Sequence, residues 1–132
     1  MKDAKTFFVE ENNNCAEAVL RLEAERLGFE IAEDDVKLVS AFGGGMGCGK
    51  TCGALCGALA ALGKLKVSGK AHETPGFKES CGAFVRCFEE KTGSTDCAVL
   101  KPKYFDPEVR CLHLVELTDE LFQAFLKDEK KA

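Results

Sequence analysis

The sequence has no apolar run of membrane-spanning length. Its longest, residues 51–62, is about a dozen residues and gives way to Lys64 and Lys66. No sustained apolar segment precedes the acidic residues of MKDAKTFFVEENNN, so no secretion signal is expected and the cytoplasm is the expected compartment. Positive charge is not in excess. The formal net charge of −4 would repel a polyanion on average, so nucleic acid is not an expected partner, and without a spanning run neither is a membrane. There is no C-x-x-C pair, which weakens a thioredoxin-like reading, and no C-x-x-C-H, so covalent haem is not expected. No stretch alternates as a half-buried strand does.

What the chain does have is cysteine: eight, at positions 15, 48, 52, 56, 81, 87, 97 and 111. At 132 residues, 45% hydrophobic and 30% charged, it has enough apolar material for one compact domain without disulfide staples. In a reducing compartment such a set serves metal binding, redox chemistry or core packing, and composition leaves the three open.

The apolar periodicity is helical throughout and predicts one all-α domain over residues 1–132, a bundle of about five to six helices. A short helix is expected at 3–11. Asn14 caps a second, with Cys15, Val19 and Leu22 on one face and Gly28 as its stop. Residues 33–42 form a third, closed by the glycines at 43–45. A helix from Cys48 to Leu65 follows, and Pro75 opens another that runs to Gly93. Asp96 caps a turn over 97–100, and Asp106-Pro107 launches a final helix through Cys111, Val115, Thr118, Phe122 and Phe125.

Residues 44–51, GGMGCGKT, match the phosphate-loop pattern G-x-x-x-x-G-K-[ST]. Such a loop needs a strand before it and a parallel sheet around it, and no second β-α unit is present. Nucleotide binding is therefore a remote alternative. Read as a helix, the same stretch sets Cys48, Cys52 and Cys56 in one row and Gly49, Gly53 and Gly57 in the next. A helix small or apolar all round is a buried central element. Its glycines imply close approach of another backbone or of a cofactor, and Gly47, Gly49 and Gly53 are the cofactor-side candidates.

Among the thiols, Cys15 and Cys97 follow cap residues, where free amides and the helix dipole favour thiolate. Cys111 falls on the core stripe of the last helix. Cys48 and Cys56 stand at metal-ligand spacing with Cys52. Cys81 and Cys87, six residues apart, point away from each other and read as core packing. His113 faces away from Cys111 and His72 lies in a loop, so no cysteine–histidine dyad is evident.

These residues resemble the C_GCAxxG_C_C family of redox-active proteins over most of the chain. Asn14-Cys15-Ala16 resembles its first cysteine. Gly43–Gly47 followed by Thr51-Cys52-Gly53-Ala54-Leu55-Cys56-Gly57 resembles its centre, Gly93-Ser94-Thr95-Asp96-Cys97 its third cysteine and Arg110-Cys111 its fourth. Gly53 interrupts the literal G-C-A order, so Cys52 takes the second place with Cys48 as rival. The resemblance implies a thiolate site at Cys15, Cys52, Cys97 and Cys111; Cys48 and Cys56 lie beyond its four-cysteine pattern and are additional metal candidates by their spacing. A related domain in split-Soret cytochromes is associated with an iron–sulfur centre. The site is expected either to bind a metal, as zinc or an iron–sulfur cluster, or to cycle as dithiol and disulfide. An oxidoreductase or electron carrier with a redox partner is one expectation, and a structural or interaction protein with core cysteines is the alternative. Faces rich in glycine and alanine also suit a homo-oligomer.

Overall fold

The computed structural model describes residues 1–131. They form six α-helices: α1 (Cys15–Leu27), α2 (Glu33–Lys37), α3 (Gly53–Lys66), α4 (Phe77–Thr92), α5 (Cys97–Tyr104) and α6 (Leu112–Lys131). A π-helical turn at Thr6–Glu10 precedes them. The only strand-like pairings among the described residues are two isolated bridges, Thr51 with Asp96 and Asp106 with Arg110. The fold is all-α, as the periodicity predicts.

The central element is α3. Gly53, Ala54, Leu55, Gly57, Ala58, Ala61 and Leu62 are all buried on it. It lies so close to α1 that a Cβ on Gly57 would stand 2.5 Å from the carbonyl oxygen of Ala16 and 3.1 Å from the Cβ of Val19. Gly57 costs roughly 1 kcal/mol of helix propensity and in return lets two backbones meet. On the far side, Phe84 of α4 meets Phe122 of α6 edge-on at 5.2 Å, a contact worth about 1 kcal/mol beyond its buried area. No helix among the described residues is long and apolar enough to cross a membrane.

Helix ends follow local chemistry where caps exist. Asn14 accepts from the Glu17 amide while Glu17 accepts from the Asn14 amide, each at 2.9 Å, which closes a capping box at the start of α1. Gly28 and Gly93 end α1 and α4 in the left-handed region, at φ +73° and +91°.

Four expected segments differ. The helix expected from Cys48 begins at Gly53, with Cys52 as its cap. Residues 44–47 instead run left-handed, with φ between +62° and +74°, and the Lys50 amide donates to Gly45 at 2.9 Å to close the loop. The row Cys48–Cys52–Cys56 therefore does not exist, and Cys48 is exposed. The segment expected over 33–42 breaks after Lys37 and resumes as a 3-10 turn at Ser40–Phe42. No strand precedes the glycine loop, which removes the phosphate-loop alternative at 44–51.

The turn expected at 97–100 extends to Tyr104. The final helix does not start at Asp106-Pro107. Asp106 turns the chain by accepting from the amides of Glu108 and Arg110, at 2.8 and 2.6 Å, and α6 starts at Leu112. Cys111 thus stands just ahead of the helix, its carbonyl accepting from Leu114 and Val115.

Candidate functional site: a four-thiol cavity

Four segments far apart in sequence bring one cysteine each to a common place. Cys15 is the first residue of α1, held by the capping box and by Asn14 Nδ2 donating to the Ser40 carbonyl at 2.9 Å. Cys52 caps α3, and its amide donates to Thr95 at 2.7 Å. Cys97 is the first residue of α5, and its amide donates to Lys50 at 2.6 Å. Cys111 follows Arg110, which adopts φ +55° while its guanidinium donates to the Phe8 carbonyl and lies 4.4 Å over the Phe8 ring. That anchor fixes the turn that delivers Cys111.

The four cysteines line one cavity of about 20 Å³, walled by apolar residues such as Leu100, Leu114 and Val115 and by Lys101. The volume admits one water-sized particle. No carboxylate and no histidine lines it. Among the described residues no three His, Cys, Asp or Glu side chains already stand in a metal-holding cluster, and all eight cysteines are free thiols. The sulfurs share a cavity without being drawn together.

Burial governs their chemistry. Cys52, 3% exposed, is pushed up to about 12 by burial and then by the negative charges of Cys15 and Cys97. Burial also raises Cys97 and Cys111, and the charge of Cys15 adds to both. For Cys97 this reverses the thiolate expected at a helix start: desolvation outweighs the dipole, and its own amide is already bonded to Lys50. Cys15 is the hub of the set: a negative charge there would add to burial in raising Cys52, Cys56, Cys97 and Cys111.

The remaining candidates lie elsewhere. Cys56 sits one turn into α3, half-buried and outside the cavity wall, raised by burial first and then by Cys15. Cys48 is exposed on the glycine loop, its sulfur 3.8 Å from the Gly45 carbonyl. Cys81 and Cys87 are half-buried on α4, away from the cavity. His113 pairs with Glu116 at 3.4 Å on the surface.

Of the three glycines, Gly53 abuts the site: a Cβ there would stand 2.6 Å from Cys15 Sγ. Gly49 packs on Ala98, and Gly47 faces open space. Gly45, not singled out by its spacing, supports the site directly, since its Cβ would meet that of Cys97 at 2.5 Å. Lys101 was also not evident from sequence; its place one turn after Cys97 is the signal that would have revealed it.

Comparison with curated proteins and with solved structures gave no match. A family model does match, over residues 13–125, and that span holds all four cavity cysteines. The chain belongs to the family described as "Putative redox-active protein (C_GCAxxG_C_C)".

Proposed function

We propose that Cys15, Cys52, Cys97 and Cys111 act as one thiolate centre that takes a thiophilic metal, as a zinc or iron ion or as a small iron–sulfur cluster. The observation that carries this reading is the convergence of four cysteines from four segments on one water-sized cavity that no carboxylate and no histidine lines. The donor set suits soft thiolate coordination. The volume suits a single ion as it stands, and a cluster requires the walls to move apart.

The chain's own part is to hold the sulfurs, exclude water and release protons. Each ligating thiol gives up its proton on binding, and a cation offsets first the burial and then the neighbouring charge that otherwise raise Cys52, Cys97 and Cys111. Bound iron supplies one-electron transfer, whereas zinc holds the thiolates without redox change.

A second reading is favoured by the central position of Cys15. As a thiolate it attacks a disulfide of a partner protein and forms a mixed disulfide, releasing one partner thiol. A neighbouring cavity thiol then displaces the second partner thiol, leaving a disulfide on this chain. Two thiols are oxidised here, and one disulfide is reduced to two thiols there.

Anaerobic purification with elemental analysis and absorption spectroscopy tests the first reading. Bound iron or zinc, or its uptake on reconstitution, is the expected result. Thiol counting after exposure to an oxidised dithiol tests the second. A chain that takes up no metal and keeps eight free thiols under both treatments would overturn both.

A further inference from the structure

Helices α1 and α6 meet in an apolar seam, and each puts one carboxyl group into it. Glu23 lies one turn beyond Val19 and is fully buried, and Asp119 lies one turn beyond Val115 and is 5% exposed. Glu23 Oε1 accepts from Gln123 Nε2, and Asp119 Oδ2 accepts from Arg26 Nε at 2.7 Å. The other two oxygens, Glu23 Oε2 and Asp119 Oδ1, are buried without a donor. Gln123 of α6 bonds Glu23 of α1 and Arg26 of α1 bonds Asp119 of α6, so these crossed bonds bring the two carboxyls to one stretch of the seam. A buried acceptor without a donor is unfavourable, more so when charged, so two facing carboxylates are the least favourable arrangement of this seam. A carboxyl that keeps its proton supplies the missing donor.

The surrounding charges are few. Arg26 comes from α1. Glu120, Lys127 and the Met1 amine line the open pocket of about 420 Å³ on the outer side of Asp119. From the other side, α3 carries no ionisable side chain between Gly57 and Gly63.

We propose that Glu23 and Asp119 hold one shared proton, and that this proton is a pH-sensitive clamp between the two helices that wall the thiol cavity. Val115, one turn from Asp119, lines that cavity, and Cys15 starts the helix that carries Glu23. Loss of the proton leaves two carboxylates facing one guanidinium in an apolar seam, so the helices part or water enters. The clamp does not depend on whether the thiols bind metal or form disulfides.

The sign follows from the acid. Burial first, then the hydrogen bond and charge of Asp119, push Glu23 from an ordinary 4.5 up to about 9. Its contribution is fully present below the unfolded value, shrinks as pH rises above it, and is lost as pH passes the folded value.

The test is thermal unfolding of the full chain, reduced and stripped of metal by a chelator, for wild type and E23Q across about pH 5 to 9.5. Glutamine is the permanently uncharged counterpart and keeps a donor. The Tm of E23Q relative to wild type should rise by about 5 °C or more between neutral and alkaline pH. Thiol ionisation is common to both proteins and cancels in the difference. Parallel curves would overturn the proposal. Carboxyl 13C NMR of the wild-type chain decides it without any variant: a Glu23 midpoint above about pH 7 is expected, and one near an ordinary glutamate's, about 4.3, would overturn it.

Discussion

The sulfur of Cys15 fills the space that a side chain on residue 53 would need. A Cβ on Gly53 would lie 2.6 Å from Cys15 Sγ and 2.7 Å from the Phe42 carbonyl oxygen. The glycine at the head of α3 and the thiol at the head of α1 are therefore one packing unit.

Gly53→Ala should lower stability by about 2 kcal/mol, because backbone at Phe42 cannot yield as a flexible side chain would. Gly63→Ala, on the same helix, is the control. Its Cβ would meet only the Phe77 ring edge at 3.8 Å, and removing a helical glycine should stabilise by about 0.5–1 kcal/mol. Urea denaturation of both variants checks the opposite signs.

Alkylation should rank the thiols by burial. Cys48, exposed on its loop, should react first in the native chain, and Cys52 last. With Cys52 pushed up to about 12 from an ordinary 9.0, its free thiol form contributes stability below the ordinary value, and that is lost as pH climbs towards the folded one. Peptide mapping after timed labelling at increasing pH reads the order, and unfolding should equalise the positions.

Serine at Cys15, Cys52, Cys97 or Cys111 should weaken metal uptake by more than the ~10-fold that even an outer-shell change costs. Serine at Cys81 or Cys87 should leave uptake unchanged, since both lie on α4 outside the cavity. Competition with a chromophoric chelator measures each variant. Equal losses at all six positions would dissolve the distinction between site and scaffold.

Met46 is held at φ +62° and is 46% exposed. A left-handed conformation costs an L-residue about 1–2 kcal/mol, so Met46→Gly should stabilise the chain by about 1 kcal/mol. Gly47→Ala, at φ +74° with open space around it, should destabilise by a similar amount. A matched pair of thermal melts tests both.

The helical class and the buried character of α3 were legible because apolar spacing and small residues act through a whole turn or more. Asn14, Gly28 and Gly93 were legible because caps are local chemistry. The start of α3 was not. A period-four row of cysteines continues arithmetically through Cys48, while the backbone at 44–47 turns with the opposite hand, and side-chain periodicity carries no sign of φ. Asp106-Pro107 misled for a related reason, since an Asp before Pro serves a turn as well as a helix start.

Caps mark Cys15 and Cys97 and an apolar stripe marks Cys111, but only the family resemblance joins these with Cys52 as one set, and their convergence depends on long-range docking that no local pattern encodes. Glu23 and Asp119 did leave a trace. Each stands one turn after a valine of its own apolar stripe, where a carboxylate has no ordinary reason to be.

Cys52 and Cys97 are strapped together by their own peptide groups, through Cys52 N–H to Thr95 and Cys97 N–H to Lys50. Because amides and carbonyls are the same for nearly every residue type, substitution at positions 50, 51, 95 and 96 can proceed over evolutionary time without shifting either sulfur. Cys15 and Cys111 rely in addition on side chains. Asn14 anchors the start of α1 and Arg110 the turn before Cys111 through their side chains, so sequence drift should show its effect on the site first through those two residues.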